Sequence, residues 1–243
     1  MLKIIEFLDT SKVSLIGEMA ELSPIVEDEI ERLWQEEQRR RKASLFNGKI
    51  LSATSVSSQE ILGVAVEYRH LIAQRARPEL YEFLRVRPVA VSGLLECADG
   101  FIFGKRGGSV SQDSGLWELA PSGGLDLSTT RVGQEIDCRA QILTELHEEI
   151  GLKADAMTST RTFCMIEDQH SHVLDIGISM KSTLSGSTIL EAHRKGGSQE
   201  YEKLHIIPRA ELSTLINDAA HSLVGVSREL LEYYLRRVPS PSI

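Results

Sequence analysis

Residues Thr144–Leu152 read TELHEEIGL, and this stretch decides the fold. It sets three glutamates, Glu145, Glu148 and Glu149, on one short run that ends at Gly151. On a helix, residues three and four apart are neighbours, so these like charges repel by a few tenths of a kcal/mol per pair (about 0.2–0.5). Ile142, Leu146 and Ile150 turn the opposite way, toward a core. Clustered carboxylates with no histidine or cysteine ligand among them suit a hard cation such as Mg²⁺ or Mn²⁺, which prefers oxygen donors. The bland alternative is a solvated acidic face, and an arbitrary E-x-x-E-E favours it. The surroundings reverse that balance: a buried strand and a Gly-Gly turn precede the acidic helix, and a glycine closes it.

The whole chain bounds what such a site can serve. Its 243 residues, 42% hydrophobic and 26% charged, suffice for one large domain or two small ones. No apolar run reaches the roughly 18 residues of a membrane span. The N-terminal stretch MLKIIEFLDTSKVSLIGEMAEL carries acids and lacks a small-residue cleavage site, so it makes a poor signal peptide. Cys97, Cys138 and Cys164 have no metal-type spacing, and an odd count fits reduced thiols in a cytoplasmic protein. A formal net charge of −8 argues against broad binding to nucleic acid but leaves phosphorylated small molecules open, because metal ions supply positive charge locally. Neither G-x4-G-K-[ST] nor G-x-G-x-x-G is present, which disfavours a P-loop or dinucleotide-binding fold.

Two units are expected. Residues 1–85 form a small α+β unit: a helix from Ser23 to about Lys42, capped by Ser23 with Pro24 at its first position, then a turn at Asn47-Gly48, a strand, and a second strand ILGVAVEYRHLIAQ passing into a polar segment. Residues 86–243 form the second unit. It opens with a hairpin around Asp99-Gly100, followed by a strand through GLWELAPSGGL and a helix over 132–150 stopped by Gly151. Strands HVLDIGISMKS and EYEKLHIIP come next, then helices RAELSTLIND and SRELLEYYLRR, and the SPSI tail is expected to fray. There is no internal repeat.

ELHEEIGL resembles the second half of the Nudix box, G-x5-E-x7-R-E-U-x-E-E-x-G-U, position by position. The resemblance implies a Nudix α/β/α sandwich with a mixed sheet. It also implies that Glu145, Glu148 and Glu149 hold divalent metal, Mg²⁺ or Mn²⁺, with the carbonyl of Gly123 as a further ligand. In that family the metals bridge a diphosphate and water attacks one phosphorus. Two departures stand out. Gly124 lies twenty-one residues before Glu145 where the family spacing puts fifteen, so the connecting loop carries six extra residues. The family arginine is Thr144, and the first box glutamate falls on Ile136, with Glu135 one place off. Those two family residues support each other as an ion pair, so losing both leaves no orphan charge.

GFIFGKR resembles the family's edge strand ending in a basic residue, which makes Arg106 a candidate phosphate contact; an exposed loop arginine is the alternative. GSQEYEKLHIIP resembles the late segment in which many members place another glutamate eight residues before a proline. Counted from Pro208 that is Glu200, a metal ligand or general base, with Glu202 the fallback and a solvated loop the alternative. Trp117 reads as core, and His170, His172 and His205 as structural.

Ahead of the box, EDEIERLWQEEQ, SLFNGKI and GVAVEYRH resemble the Nudix branch that cleaves UDP-glucose and UDP-galactose, which shares the W-then-LF[ND]G order and an irregular box loop. That resemblance, over about residues 25–210, implies cleavage of a nucleoside diphosphate sugar to a nucleoside monophosphate and a sugar 1-phosphate. Two alternatives remain. One is a Nudix pyrophosphohydrolase for ADP-ribose, a dinucleotide or CoA; the other is a non-catalytic nucleotide-binding Nudix module. The partner expected is a small nucleoside diphosphate derivative, with no nucleic acid or membrane and no oligomeric state implied.

Overall fold

In the computed structural model, residues 1–41, 45–108, 113–217 and 222–237 are described. The end of the first helix at Lys42, Asp218 and the SPSI tail lie outside them. Eleven strands are described: β1 Leu2–Ile5, β2 Lys12–Glu18, β3 Lys49–Val56, β4 Glu60–Glu67, β5 Val89–Cys97, β6 Gly100–Arg106, β7 Trp117–Leu119, β8 Ser122–Gly124, β9 Ser159–Asp168, β10 Leu174–Lys181 and β11 Tyr201–Ile207. The main sheet runs β1-β9-β10-β5-β6-β11, with β7 on β6 and β8 on β5. Its β5–β10 pairing is parallel and its other pairings antiparallel, so the sheet is mixed. A second sheet runs β2-β4-β3.

Strand patterning explains why both faces of the main sheet are covered. β5 is apolar nearly throughout, as a strand buried on both sides must be. One face packs Val91, Leu95, Ile176 and Ile178 against Ile142, Leu146 and Ile150, carried by α4 (Cys138–Glu145) and the turn that continues it. The other packs Phe101, Cys164 and Ile166 against Leu230, Leu231 and Tyr234 of a C-terminal helix, Gly225–Arg237. This is the expected α/β/α layering.

Three local expectations are corrected. β6, expected at an edge, lies between β5 and β11. The segment after β4 is a helix, Tyr68–Ala76, in which His70 to Gln74 are buried. Burial on every side leaves no 3.6-residue polar alternation to read. Its Gln74 amide exchanges two hydrogen bonds with the Val86 backbone, at 2.8 and 2.9 Å. The helix expected over 132–150 begins only at Cys138, where Asp137 accepts from the Arg139 and Ala140 N–H groups as N-cap.

Residues 133–136 instead run along β2: Gly133 N–H donates to Leu15 O at 2.7 Å, Leu15 N–H to Gln134 O at 3.1 Å, and Ile136 N–H to Val13 O at 2.8 Å. Asp126 bridges to Ile50 of β3. The enlarged box loop therefore stitches the small sheet to the main one and covers the edge of β2. β1 was not read from the sequence; it pairs with β9, so the N-terminus of the chain is woven into the main sheet.

Candidate active site

The box helix does not run as a regular α-helix through its glutamates. Leu146–Ile150 forms a π-helical turn ended by Gly151 at φ 79°, a widened geometry that recurs at functional sites. Gly151 needs that left-handed backbone, and it also lies against Ala192 O with no space for a side chain. The turn sends Glu149 inward, where it is 3% exposed, and leaves Glu148 in solvent. Glu149 was expected on a helix surface; the widened turn instead places it beneath β8.

Each carboxylate has a particular holder. Ser122 N–H donates to Glu149 Oε2 at 2.9 Å. Gln141 Nε2 donates to Glu145 Oε1 at 2.7 Å. Gly123, paired with Val91 of β5, lies directly over the Glu145 carboxylate, and any side chain there would collide with it. The loop before β11 is tied to the same turn: Ser198 N–H donates to Glu148 O at 2.9 Å, and Gly107 N–H to Glu200 O at 2.8 Å. Glu200 thereby reaches Arg106, whose Nη2 is 3.4 Å from its Oε1, while Arg106 Nη1 pairs with Glu118.

Glu145, Glu149, Glu200, Gly123 and Arg106 are thus brought into one region, with Glu148 at its rim. Arg106 is largely buried, so it is not the exposed loop arginine of the alternative. Glu202 points elsewhere and pairs with Lys105 at 3.2 Å.

Crowding shows in the acidities. Burial, reinforced by Glu148, Glu200 and Asp126, pushes the Glu145 carboxyl up to about 7 against the Gln141 hydrogen bond. Burial and then Glu200 push Glu149 well above the usual carboxylate range. Glu118 rises to about 7 because burial outweighs Arg106. Buried carboxyls held against one another in this way make the region a candidate site and suit a cation.

As they stand, no three His, Cys, Asp or Glu side chains converge to hold a metal among the described residues. The oxygen-only donor set and the Gly123 cradle nevertheless fit Mg²⁺ or Mn²⁺, with Glu145, Glu148 and Glu149 to hold it. Glu118 was missed in the sequence; the signal was an acid between buried Trp117 and Leu119. Trp117 is core, as expected. His205 packs against it, His172 stacks on Tyr81 at 3.7 Å, and His170 sits in a turn.

Gly123, Ser122, Glu118, Arg106 and Glu200 line one wall of a cleft of about 670 Å³. Its other walls come from Tyr68, Leu71 and Arg75 of the N-terminal unit and from Asp168, His170 and Asp175. The small unit therefore helps to build the cleft.

The missing box pair is also explained. Thr144 is exposed and its hydroxyl donates to Ala140 O at 3.1 Å, Ile136 packs on the core, and Glu135 pairs with Lys12. Thr144→Arg is expected to change kcat by less than about twofold, because Ile136 offers it no carboxylate partner; steady-state kinetics showing a several-fold gain would overturn this account.

No protein-family model matches the chain, and no curated protein matches it. Among solved structures, DR0079 from Deinococcus radiodurans matches with a TM-score of 0.51 at 14% identity, over 79% of this chain and 99% of that one. The NUDIX domain of Shewanella oneidensis NrtR, in complex with ADP ribose, matches at 0.47 and 14% identity, over 68% and 96%. A bifunctional NMN adenylyltransferase/ADP ribose pyrophosphatase from Francisella tularensis matches at 0.43 and 16%, over 70% and 48%. The likeness to DR0079 is one of fold. The shared fold is a mixed α/β/α sandwich, and on it the TELHEEIGL stretch lies beside β8. No helix among the described residues is long and apolar enough to cross a membrane.

Proposed function

We propose that the protein is a divalent-metal-dependent pyrophosphohydrolase that cleaves a nucleoside diphosphate sugar, UDP-glucose or UDP-galactose in type, to a nucleoside monophosphate and a sugar 1-phosphate. The observation that carries the proposal is convergence: Glu118, Glu145, Glu149 and Glu200 crowd one another beside Gly123, and Glu118, Glu200 and Gly123 line a cleft large enough for a nucleotide. The sugar nucleotide is favoured by the W and LFNG resemblance of the N-terminal unit, which also lines the cleft.

A diphosphate resists hydrolysis because its anionic oxygens repel a nucleophile. Bound Mg²⁺ or Mn²⁺ would neutralise that charge and acidify water. The chain supplies the rest. Glu145, Glu148 and Glu149 provide the oxygens that hold the cation, and Gly123 lets the Glu145 carboxylate lie flat against β8. Glu200, steadied by Arg106, accepts the proton of the attacking water, worth about 10²–10⁴-fold. Arg106 lines the same cleft, a cation on the side where the phosphates lie.

One panel tests this: purified protein with Mg²⁺ and UDP-glucose beside ADP-ribose, NADH and CoA, products identified by mass. UMP and glucose 1-phosphate are expected, with turnover lost to EDTA and restored by Mg²⁺. AMP and ribose 5-phosphate from ADP-ribose, the ligand named for the Shewanella structure, would move the substrate and keep the chemistry. No Mg²⁺-dependent turnover of any diphosphate would leave a nucleotide-binding module.

A further inference from the structure

Asp175 sits in β10, the strand between β9 and β5, opposite Ala90 and Ile166. An acid in the otherwise apolar run VLDIGISM is out of place unless something uses it. Its Oδ2 accepts from the Ser92 hydroxyl at 3.1 Å. Its Oδ1 is shielded from solvent and has no hydrogen-bond partner. Both residues line the cleft that also holds Gly123, Glu118 and Glu200. Nearby Asp168 is already satisfied by the Ser171 hydroxyl and the His170 N–H.

A buried acceptor left unpaired costs stability, and an apolar side chain of similar shape would remove that cost. Its retention is explained by a donor arriving with a ligand. Burial also pushes the carboxyl up to about 6, which fits a group set in a largely dry pocket. A diphosphate carries like charge and no donor, so the partner of this carboxylate is an O–H or N–H elsewhere on the substrate.

We propose that Asp175, oriented by Ser92, is a substrate-recognition residue whose Oδ1 accepts a hydrogen bond from an O–H or N–H donor on the nucleoside portion of the substrate. The proposal rests on the reading of the cleft as a nucleotide site. A site built to pair such a donor discriminates against analogues that lack it, because its own polar group is then left unpaired.

The experiment compares wild type with Asp175→Ala by calorimetric titration of UMP and AMP, by KM and kcat on UDP-glucose and ADP-ribose, and by thermal melting. The nucleotide that wild type binds is expected to bind the variant at least about tenfold more weakly, with KM raised as much and kcat within about threefold. The melting temperature should change little, because removal of the unsatisfied acceptor offsets the loss of the Ser92 hydrogen bond; a merely structural carboxyl would lower it markedly. Nucleotides with 2′-deoxyribose or an N-methylated base identify the donor: one of them binds wild type more weakly than its parent but binds the variant equally.

Equal nucleotide affinity in the two proteins overturns the proposal. So does a loss of kcat at unchanged KM, indifference of wild type to both analogues, or failure of wild type to bind either nucleotide. Asp175-dependent nucleotide binding without turnover of any diphosphate would instead sink the hydrolase reading and leave this one standing.

Discussion

Glu149→Gln is expected to lose turnover by on the order of 10³-fold while folding at least as stably as the wild type. The two halves of that expectation come from the same observation. Glu149 is buried under β8, accepts one backbone N–H from Ser122, and has its carboxyl raised by burial and by Glu200, Glu145 and Glu118.

A carboxyl whose folded pKa lies above its unfolded value costs stability at every pH above both, so the neutral isostere removes that cost near neutrality. Glutamine keeps an oxygen to accept from Ser122 N–H, and the turn holds its shape. What it cannot supply is the negative charge that the proposed cation site needs. Losing one such ligand forfeits several kcal/mol of charge stabilisation at the phosphorus.

The check has two readouts. Melting with and without Mg²⁺ should show an upward shift in wild type, since a ligand that binds only the folded state stabilises it, and a much smaller shift in the variant. Kinetics should show the loss in kcat. Wild-type-like turnover by a folded Glu149→Gln protein would falsify the metal-carboxylate mechanism.

Much of this site was legible because its parts obey short-range rules. The alternation of Ile142, Leu146 and Ile150 with Glu145 and Glu148 is a helical pattern, and Gly151 is a stop that needs positive φ. What escaped obeys no local period. Glu149 enters the interior because the helix widens into a π-turn, and Glu118 and Asp175 lie inside strands too apolar to betray a polar partner across the sheet.

The helix Tyr68–Ala76 is buried on all sides, so its sequence has no polar face. The extra loop residues looked like slack between a glycine and a glutamate. Their use depends on hydrogen bonds to Val13 and Leu15, more than a hundred positions away. The absent box arginine was read as a paired loss, and the exposed Thr144 and core-facing Ile136 give that reading its geometry.

Glu200→Gln is expected to lower kcat by at least about 10²-fold with little change in substrate affinity, the effect of removing a general base. Glu202→Gln is expected to stay within a few-fold of wild type. In a regular strand, residues 200 and 202 would share a face, and spacing to Pro208 alone would have to choose between them. The pairing of β11 with β6 removes that ambiguity. Tyr201 lies opposite Arg106 and Lys203 opposite Lys105, so two steps on β11 match one on β6 and Glu202 is the extra residue of a bulge.

The bulge turns Glu202 to solvent, where it pairs with Lys105 at 3.2 Å. An exposed pair of that kind contributes about 0–1 kcal/mol, so its loss should be silent in kinetics. Glu200, just before the bulge, is held by its backbone bond to Gly107 and by Arg106, lines the cleft, and bears on the acidities of Glu118, Glu145 and Glu149. A proton acceptor has to reach water at the phosphorus, and of the two only Glu200 faces that space. Steady-state kinetics of both variants decide the matter. A reversed pattern would move the role by two residues and place the bulge on the wrong side. Wild-type rates in both would send the base to Glu145, the carboxylate that lies against Gly123.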